Sequence, residues 1–192
     1  MAFADWLRVE QVSATGRAEI GARRIYILPT RYGLMFAALL FLMLLGAVNY
    51  GNNPGHLLTF VLGALGGNAI YLTWRNLRGL RLVCQGAAPV FAGQTARFVV
   101  ELNADGRERP AIQLAFQENE PVLLDLRADD ANALRELELS APLRGEHSPG
   151  RLTVSTQHPL GLFRAWCHVA CERPLLVYPK PGEIWSAPGS AD

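Results

Sequence analysis

The sequence predicts a membrane α-hairpin of two transmembrane helices joined to an all-β domain, an Ig-like antiparallel β-sandwich. Three observations carry this. Half of the 192 residues are apolar and only 18% are charged, where about a quarter is usual for a soluble chain. The deficit is local: from Leu34 to Trp74 there is no Lys, Arg, Asp or Glu. After Arg81 the texture changes to short alternating segments punctuated by turn residues, the pattern of half-buried strands. The 18 basic and 17 acidic residues leave a net charge of +1, which excludes a strongly basic nucleic-acid binder and an acidic tail protein.

Residues 1–31 read as a cytoplasmic N-terminal tail. Phe3, Trp6, Leu7 and Glu10 lie at helical spacing and fit either a short interfacial helix or a partly ordered tail. Pro29 disfavours helix at Leu28 and Thr30 can cap a helix that follows. Residues 32–75 read as the hairpin. One apolar run covers Gly33 to Val48 and a second Leu57 to Trp74, with the turn-forming Asn49-Tyr50-Gly51-Asn52-Asn53-Pro54-Gly55 between them. Roughly 20 apolar residues at 1.5 Å each cross a ~30 Å hydrocarbon core. The first run has no polar face, which a soluble helix needs.

Arginines set the orientation. Arg17, Arg23, Arg24 and Arg31 precede the first span, Arg75, Arg78 and Arg81 follow the second, and the turn is uncharged. The positive-inside rule puts both termini in the cytoplasm and the turn outside, with Tyr32, Tyr50, Tyr71 and Trp74 near headgroup level. Arg23, Arg24, Arg31, Arg75, Arg78 and Arg81 are expected to meet anionic headgroups. Gly63 and Gly67 form a G-x-x-x-G pair suited to close helix packing, either on the first span or on another chain, which would make a homo-oligomer. Asn68 is expected to make an interhelical hydrogen bond. Spans without ionisable residues are poorly suited to an ion pathway.

Residues 78–182 read as the cytoplasmic β domain and 183–192 as a flexible tail. Strands are predicted at Leu80–Cys84, Thr95–Asn103 with Ala96, Phe98, Val100 and Leu102 on one face, Ala111–Phe116, Leu134–Leu139, Arg151–Ser155 and Pro174–Pro179. Roughly seven or eight short strands without a long helical period fit a sandwich.

No catalytic, metal or cofactor site is predicted, and the chain is read as a non-enzyme. Cys84, Cys167 and Cys171 are an odd count on the cytoplasmic side, which argues against disulfides. In a strand, Cys167 and Cys171 would lie about 13 Å apart, too far for one zinc at ~2.3 Å from each sulfur. His56, His147, His158 and His168 are scattered, Asp125, Asp129 and Asp130 miss the calcium-loop spacing, and none of the common nucleotide, hydrolase or zinc motifs occurs. Basic residues do not cluster with aromatics, so nucleic acid is not an expected partner.

The assembled motifs resemble a family. Ile27-Leu28-Pro29-Thr30-Arg31-Tyr32-Gly33, the tip Asn49-Tyr50-Gly51-Asn52-Asn53, Arg75-Asn76-Leu77-Arg78-Gly79-Leu80, Arg144-Gly145, Gly150-Arg151-Leu152, His158-Pro159-Leu160-Gly161-Leu162-Phe163-Arg164 and Leu176-Val177-Tyr178-Pro179-Lys180-Pro181 occur in the order found in the N-terminal half of the bacterial "domain of unknown function 58" proteins. The resemblance runs roughly from Ile25 to Gly182. It implies a hairpin anchor, a cytoplasmic β-sandwich and an assembly or adaptor role beside MoxR-type AAA+ ATPases and von Willebrand factor A-type proteins, with no catalytic activity assigned. Family chains continue into a von Willebrand-like region that this sequence lacks, so the chain is expected to be the anchor and sandwich of a longer protein. Within the motif, Pro159, Leu160, Gly161, Leu162 and Phe163 fit a structural turn or a partner-docking loop. An interaction module is the leading expectation; a cell-envelope enzyme with an undetected site, or a scaffold or transport accessory acting through the hairpin, are the alternatives.

Overall fold

The computed structural model describes residues 17–116, 119–130, 132–140, 144–171 and 173–180. The N-terminal interfacial helix and the C-terminal tail expected from sequence lie outside them. Two long helices, α1 (Arg31–Asn49) and α2 (Asn53–Leu77), stand on three mostly antiparallel sheets.

Each helix starts on a polar cap. Thr30 accepts from the Gly33 amide at 3.2 Å, and Asn52 from the Gly55 amide at 3.3 Å, with Pro54 in the first turn of α2. Tyr50 closes α1 and Gly51, at φ 57°, turns the chain in a conformation that suits glycine. Of α1 only Gly33 and Ala47 are buried, and its Leu34, Met35, Leu39, Phe41, Leu42, Leu45 and Val48 are exposed. In α2 a stripe of Thr59, Gly66, Ala69, Thr73, Asn76 and Leu77 is buried, while Leu57, Leu58, Phe60, Val61 and Leu65 are exposed. Both helices are long and apolar enough to cross a membrane.

The four-stranded sheet runs β1 (Arg17–Glu19), β3 (Arg81–Ala87), β5 (Thr95–Asn103), β8 (Ala133–Ser140). The five-stranded sheet runs β2 (Tyr26–Pro29), β11 (Phe163–Cys171), β10 (Gly150–Thr156), β6 (Arg109–Phe116), β7 (Val122–Leu126). A small third sheet holds β4 (Val90–Phe91), β12 (Leu175–Tyr178) and β9 (Gly145–His147), with β4 and β12 parallel. The expected alternation is seen residue by residue in β5, where Ala96, Phe98, Val100 and Leu102 are buried. Phe98, Val100 and Leu102 share one apolar core of the two larger sheets with Ile112, Leu114 and Phe116 of β6, Leu152 and Val154 of β10, and Val169 of β11, while Ala96 packs in a smaller cluster with Leu175 and Val177 of β12. The Phe98 and Phe116 rings meet edge to face at 5.2 Å.

Two sequence expectations change here. Residues 17–29, grouped with the tail, instead carry an edge strand for each large sheet: β1 pairs with β3 and β2 with β11. Ala18 and Ile20 are buried there, so this segment is held by ladder hydrogen bonds and apolar burial together. Cys84 and Cys171, expected as separate thiols, form a disulfide; both sit at inward positions of strands in opposite sheets, with Cα atoms 5.9 Å apart. Cys167 is buried and takes no part in the disulfide.

Candidate functional site

The structural features outside ordinary core packing gather where the hairpin meets the sheets. Three polar contacts make the junction. On the α1 side, the Thr30 amide donates to Leu162 O at 2.9 Å, and Thr30 Oγ1 lies 2.6 Å from Gly161 O and 3.1 Å from Leu162 O. Gly33 is needed one turn on: a Cβ there would come 2.1 Å from Leu162 O. On the α2 side, Thr73 Oγ1 lies 2.8 Å from His158 O, and Asn76 Nδ2 donates to Pro110 O at 2.8 Å and Thr156 Oγ1 at 3.0 Å.

Arg109 makes the third contact. It is 1% exposed. Its Nε donates to Ala104 O at 2.8 Å and its Nη1 to Asn76 O at 2.7 Å and Arg78 O at 3.0 Å. The guanidinium therefore takes carbonyls from the C-terminal end of α2, where the helix dipole favours a cation. Burial, and secondarily the charge of Arg107, hold its pKa below the ordinary value, with Asp105 acting the other way. Strict alternation would turn Arg109 outward, because Ile112 and Leu114 point inward. A bulge between Arg109 and Ile112, with Ala111 at φ 52° and its amide bonded to Asp125 Oδ1 at 2.7 Å, reverses the side.

Beside this junction lies a cavity of about 750 Å³, lined by Tyr71, Leu72, Arg75, Asn76 and Arg78 of α2 and its end, by Arg107, Glu108, Arg109 and Pro110, and by His158. Four guanidinium groups face one carboxylate. Arg75 lies 5.7 Å from the Tyr71 ring centre and Arg78 4.9 Å from that of Trp74, stacked positions that keep both heads at the helix end.

Sequence-predicted residues distribute as follows. Arg75 and Arg78 line the cavity. Arg81 does not: it is 3.4 Å from Glu19 and 3.3 Å from Asp105, an ion-paired position on β3. Arg31 bonds the Tyr32 hydroxyl at 2.9 Å and covers its ring, and Arg23 and Arg24 sit in a 3-10 turn whose Ala22 carbonyl accepts from Trp74 Nε1 at 3.4 Å. Gly63 and Gly67 have open space where a Cβ would stand; at Gly66 a Cβ would come 3.1 Å from the Phe36 ring of α1. Close packing within the hairpin therefore runs through Gly66. Asn68 is exposed, off the α1 contact, so the expected interhelical bond within the hairpin is not made. The loop of Pro159, Leu160, Gly161, Leu162 and Phe163 docks on its own hairpin through the Gly161 and Leu162 carbonyls, and Leu160 projects outward, 57% exposed. Asp125, in β7, accepts the Ala111 amide at the β6 bulge, Asp130 accepts the Arg127 amide in a turn, and no group of three metal-ligand side chains occurs among the described residues. Asn76, Arg107, Arg109 and His158 are not picked out as site residues by sequence; Pro110, directly before the predicted strand Ala111–Phe116, is a signal that could have marked the bulge beside them.

The fold and junction define a two-helix apolar hairpin fixed to a β-sheet domain. Comparison with protein-family models, curated proteins and solved structures finds no match to this chain.

Proposed function

We propose that the chain is an inner-membrane-anchored interaction or assembly module: the hairpin spans the bilayer, the two large sheets form a β-sandwich on its cytoplasmic side, and the domain offers its surface to a soluble partner. The observation that carries this is the contrast within one body between two helices with exposed apolar flanks and a polar junction that holds the sheets at their base. In water, so large an apolar surface demands a covering, and the bilayer supplies one. The resemblance to the domain of unknown function 58 family supports a MoxR-type AAA+ ATPase and von Willebrand factor A-type proteins as partners. Affinity purification in mild detergent, with the full chain and with the hairpin alone, tests it. Partners recovered only with the full chain support the module; the same partners from both forms refute it.

Two observations pull against each other on the side of the membrane. The arginines at the hairpin base put the sheets inside, whereas a disulfide such as Cys84–Cys171 is characteristic of oxidising compartments. The orientation proposed here follows the arginines, because charges next to the spans govern insertion.

One observation favours a second reading, a cell-envelope enzyme. The cavity sits at the base of the hairpin and gathers His158 and Glu108 beside guanidinium groups, a set able to hold an anionic substrate next to an acid or base. Turnover of a phosphoester lipid that is lost in both His158→Gln and Glu108→Gln would establish it; unchanged lipid would leave the module reading in place.

A further inference from the structure

We propose that the cavity at the hairpin base binds the phosphate of an anionic phospholipid drawn from the adjoining leaflet. The inference rests on the membrane placement proposed above. Arg75, Arg78 and Arg107 line the cavity, and none of them has a carboxylate partner within 4.0 Å among the described residues. Arg81, by contrast, is engaged by Glu19 and Asp105 and stands outside. Beneath them Arg109 carries its charge 1% exposed, with only neutral carbonyls as acceptors and with Nη2 unpartnered. Asp105, the carboxylate that acts on Arg109, is paired with Arg81 at 3.3 Å and makes no hydrogen bond to the buried guanidinium, so the floor of the cavity stays positive, and planar guanidinium forks match the oxygens of a phosphate. Glu108, on the rim, is exposed and its charge is screened by solvent.

The same chemistry would take a free phosphate; the wall selects the lipid. Tyr71 and Leu72 line the cavity, and Ile70 and Tyr71 are 40% and 53% exposed on the apolar side of α2. A phosphate seated against Arg75, Arg78 and Arg107 therefore has its ester chains directed along a surface that suits acyl groups. Rings such as Tyr71 and Trp74 favour that depth, between hydrocarbon and headgroup.

The experiment uses the full chain in nanodiscs of phosphatidylcholine and phosphatidylglycerol, with retained lipid read by native mass spectrometry after release. Retention of one phosphatidylglycerol in preference to phosphatidylcholine is expected. Arg75→Gln and Arg107→Gln should each weaken it about fivefold, as for removing one basic group near an anionic surface. Arg107→Lys should retain most of the preference, and the remote Arg97→Gln all of it. Insertion without any lipid preference overturns the lipid site and leaves the membrane reading intact. Failure to insert overturns both. Displacement of the lipid by millimolar inorganic phosphate identifies a free-phosphate site and overturns the lipid assignment. Equal loss in Arg97→Gln reduces the effect to net charge and overturns it as well.

Discussion

Replacing Gly33 by alanine should loosen the hairpin from the sheets. Its Cβ would lie 2.1 Å from Leu162 O and 3.1 Å from Leu162 C, both backbone atoms that no rotamer change can move aside. A carbon–oxygen contact needs about 3.3 Å, so α1 and the loop must part by roughly 1 Å. That displacement breaks the 2.9 Å bond from the Thr30 amide to Leu162 O and the 2.6 Å contact of Thr30 Oγ1 with Gly161 O. Two hydrogen bonds at about 1 kcal/mol each, with about 1–3 kcal/mol for overpacking and up to about 1 kcal/mol regained from alanine's helix propensity, give a net loss of about 2–4 kcal/mol. Thermal unfolding of the purified chain in mild detergent should show a midpoint lower by about 5–15 °C. Hydrogen exchange at the amides of Thr30 and Leu34 should rise with it. Gly46→Ala is the matched control, since nothing lies within 4 Å of a Cβ there, and it should be neutral or stabilising. Gly33→Ala melting together with Gly46→Ala, with unchanged exchange, would refute the clasp.

Arg109→Met leaves the carbonyls of Ala104, Asn76 and Arg78 without their donor in a buried place, and unfolding should be easier by about 3 kcal/mol or more, against little change for the exposed Arg97→Gln. Gly66→Leu, which drives a side chain at Phe36, should lower the thermal midpoint in detergent, whereas Gly63→Leu and Gly67→Leu should not; equal effects would place the hairpin contact elsewhere. His168 is partly buried, 3.1 Å from Thr153 Oγ1, and burial, then Arg151, hold its pKa below the ordinary 6.5. The unfolded chain therefore binds the proton first, so this group's contribution is whole above about pH 6.5 and declines as pH falls toward the folded value. Chemical denaturation across that window should slope downward toward acid, and His168→Gln should flatten the slope.

What could be read from sequence follows from how strong each local pattern is. The apolar runs located both helices to within a few residues, because no competing structure tolerates so long a stretch without charge. Strand β5 was legible in full, since Ala96, Phe98, Val100 and Leu102 alternate without a break. Strand β11 was not: Trp166, His168 and Ala170 between its buried positions are only half-buried, so the polar side of the alternation is blurred. Arg109 was missed because a bulge, which periodicity does not see, turns it inward. The G-x-x-x-G spacing was visible but could not say which face meets α1, and tertiary contact chose Gly66. The Pro159–Phe163 loop was legible as a turn with contact potential; its partner, the base of the same chain's hairpin, depends on contacts made across some 130 residues of sequence. The cavity follows from the same long-range pairing.

Thiol accessibility in intact cells tests the central claim most directly, with cysteines placed at new positions because Cys84, Cys167 and Cys171 are all buried. Tyr50, 83% exposed at the hairpin tip, and Arg97, exposed on β5, are the two reporters. A membrane-impermeant reagent should modify Tyr50→Cys in whole cells and reach Arg97→Cys only after the membrane is opened. Labelling of Arg97→Cys in whole cells with Tyr50→Cys protected would invert the orientation, and labelling of neither reporter until lysis, in protein recovered from the soluble fraction, would contradict a membrane anchor altogether.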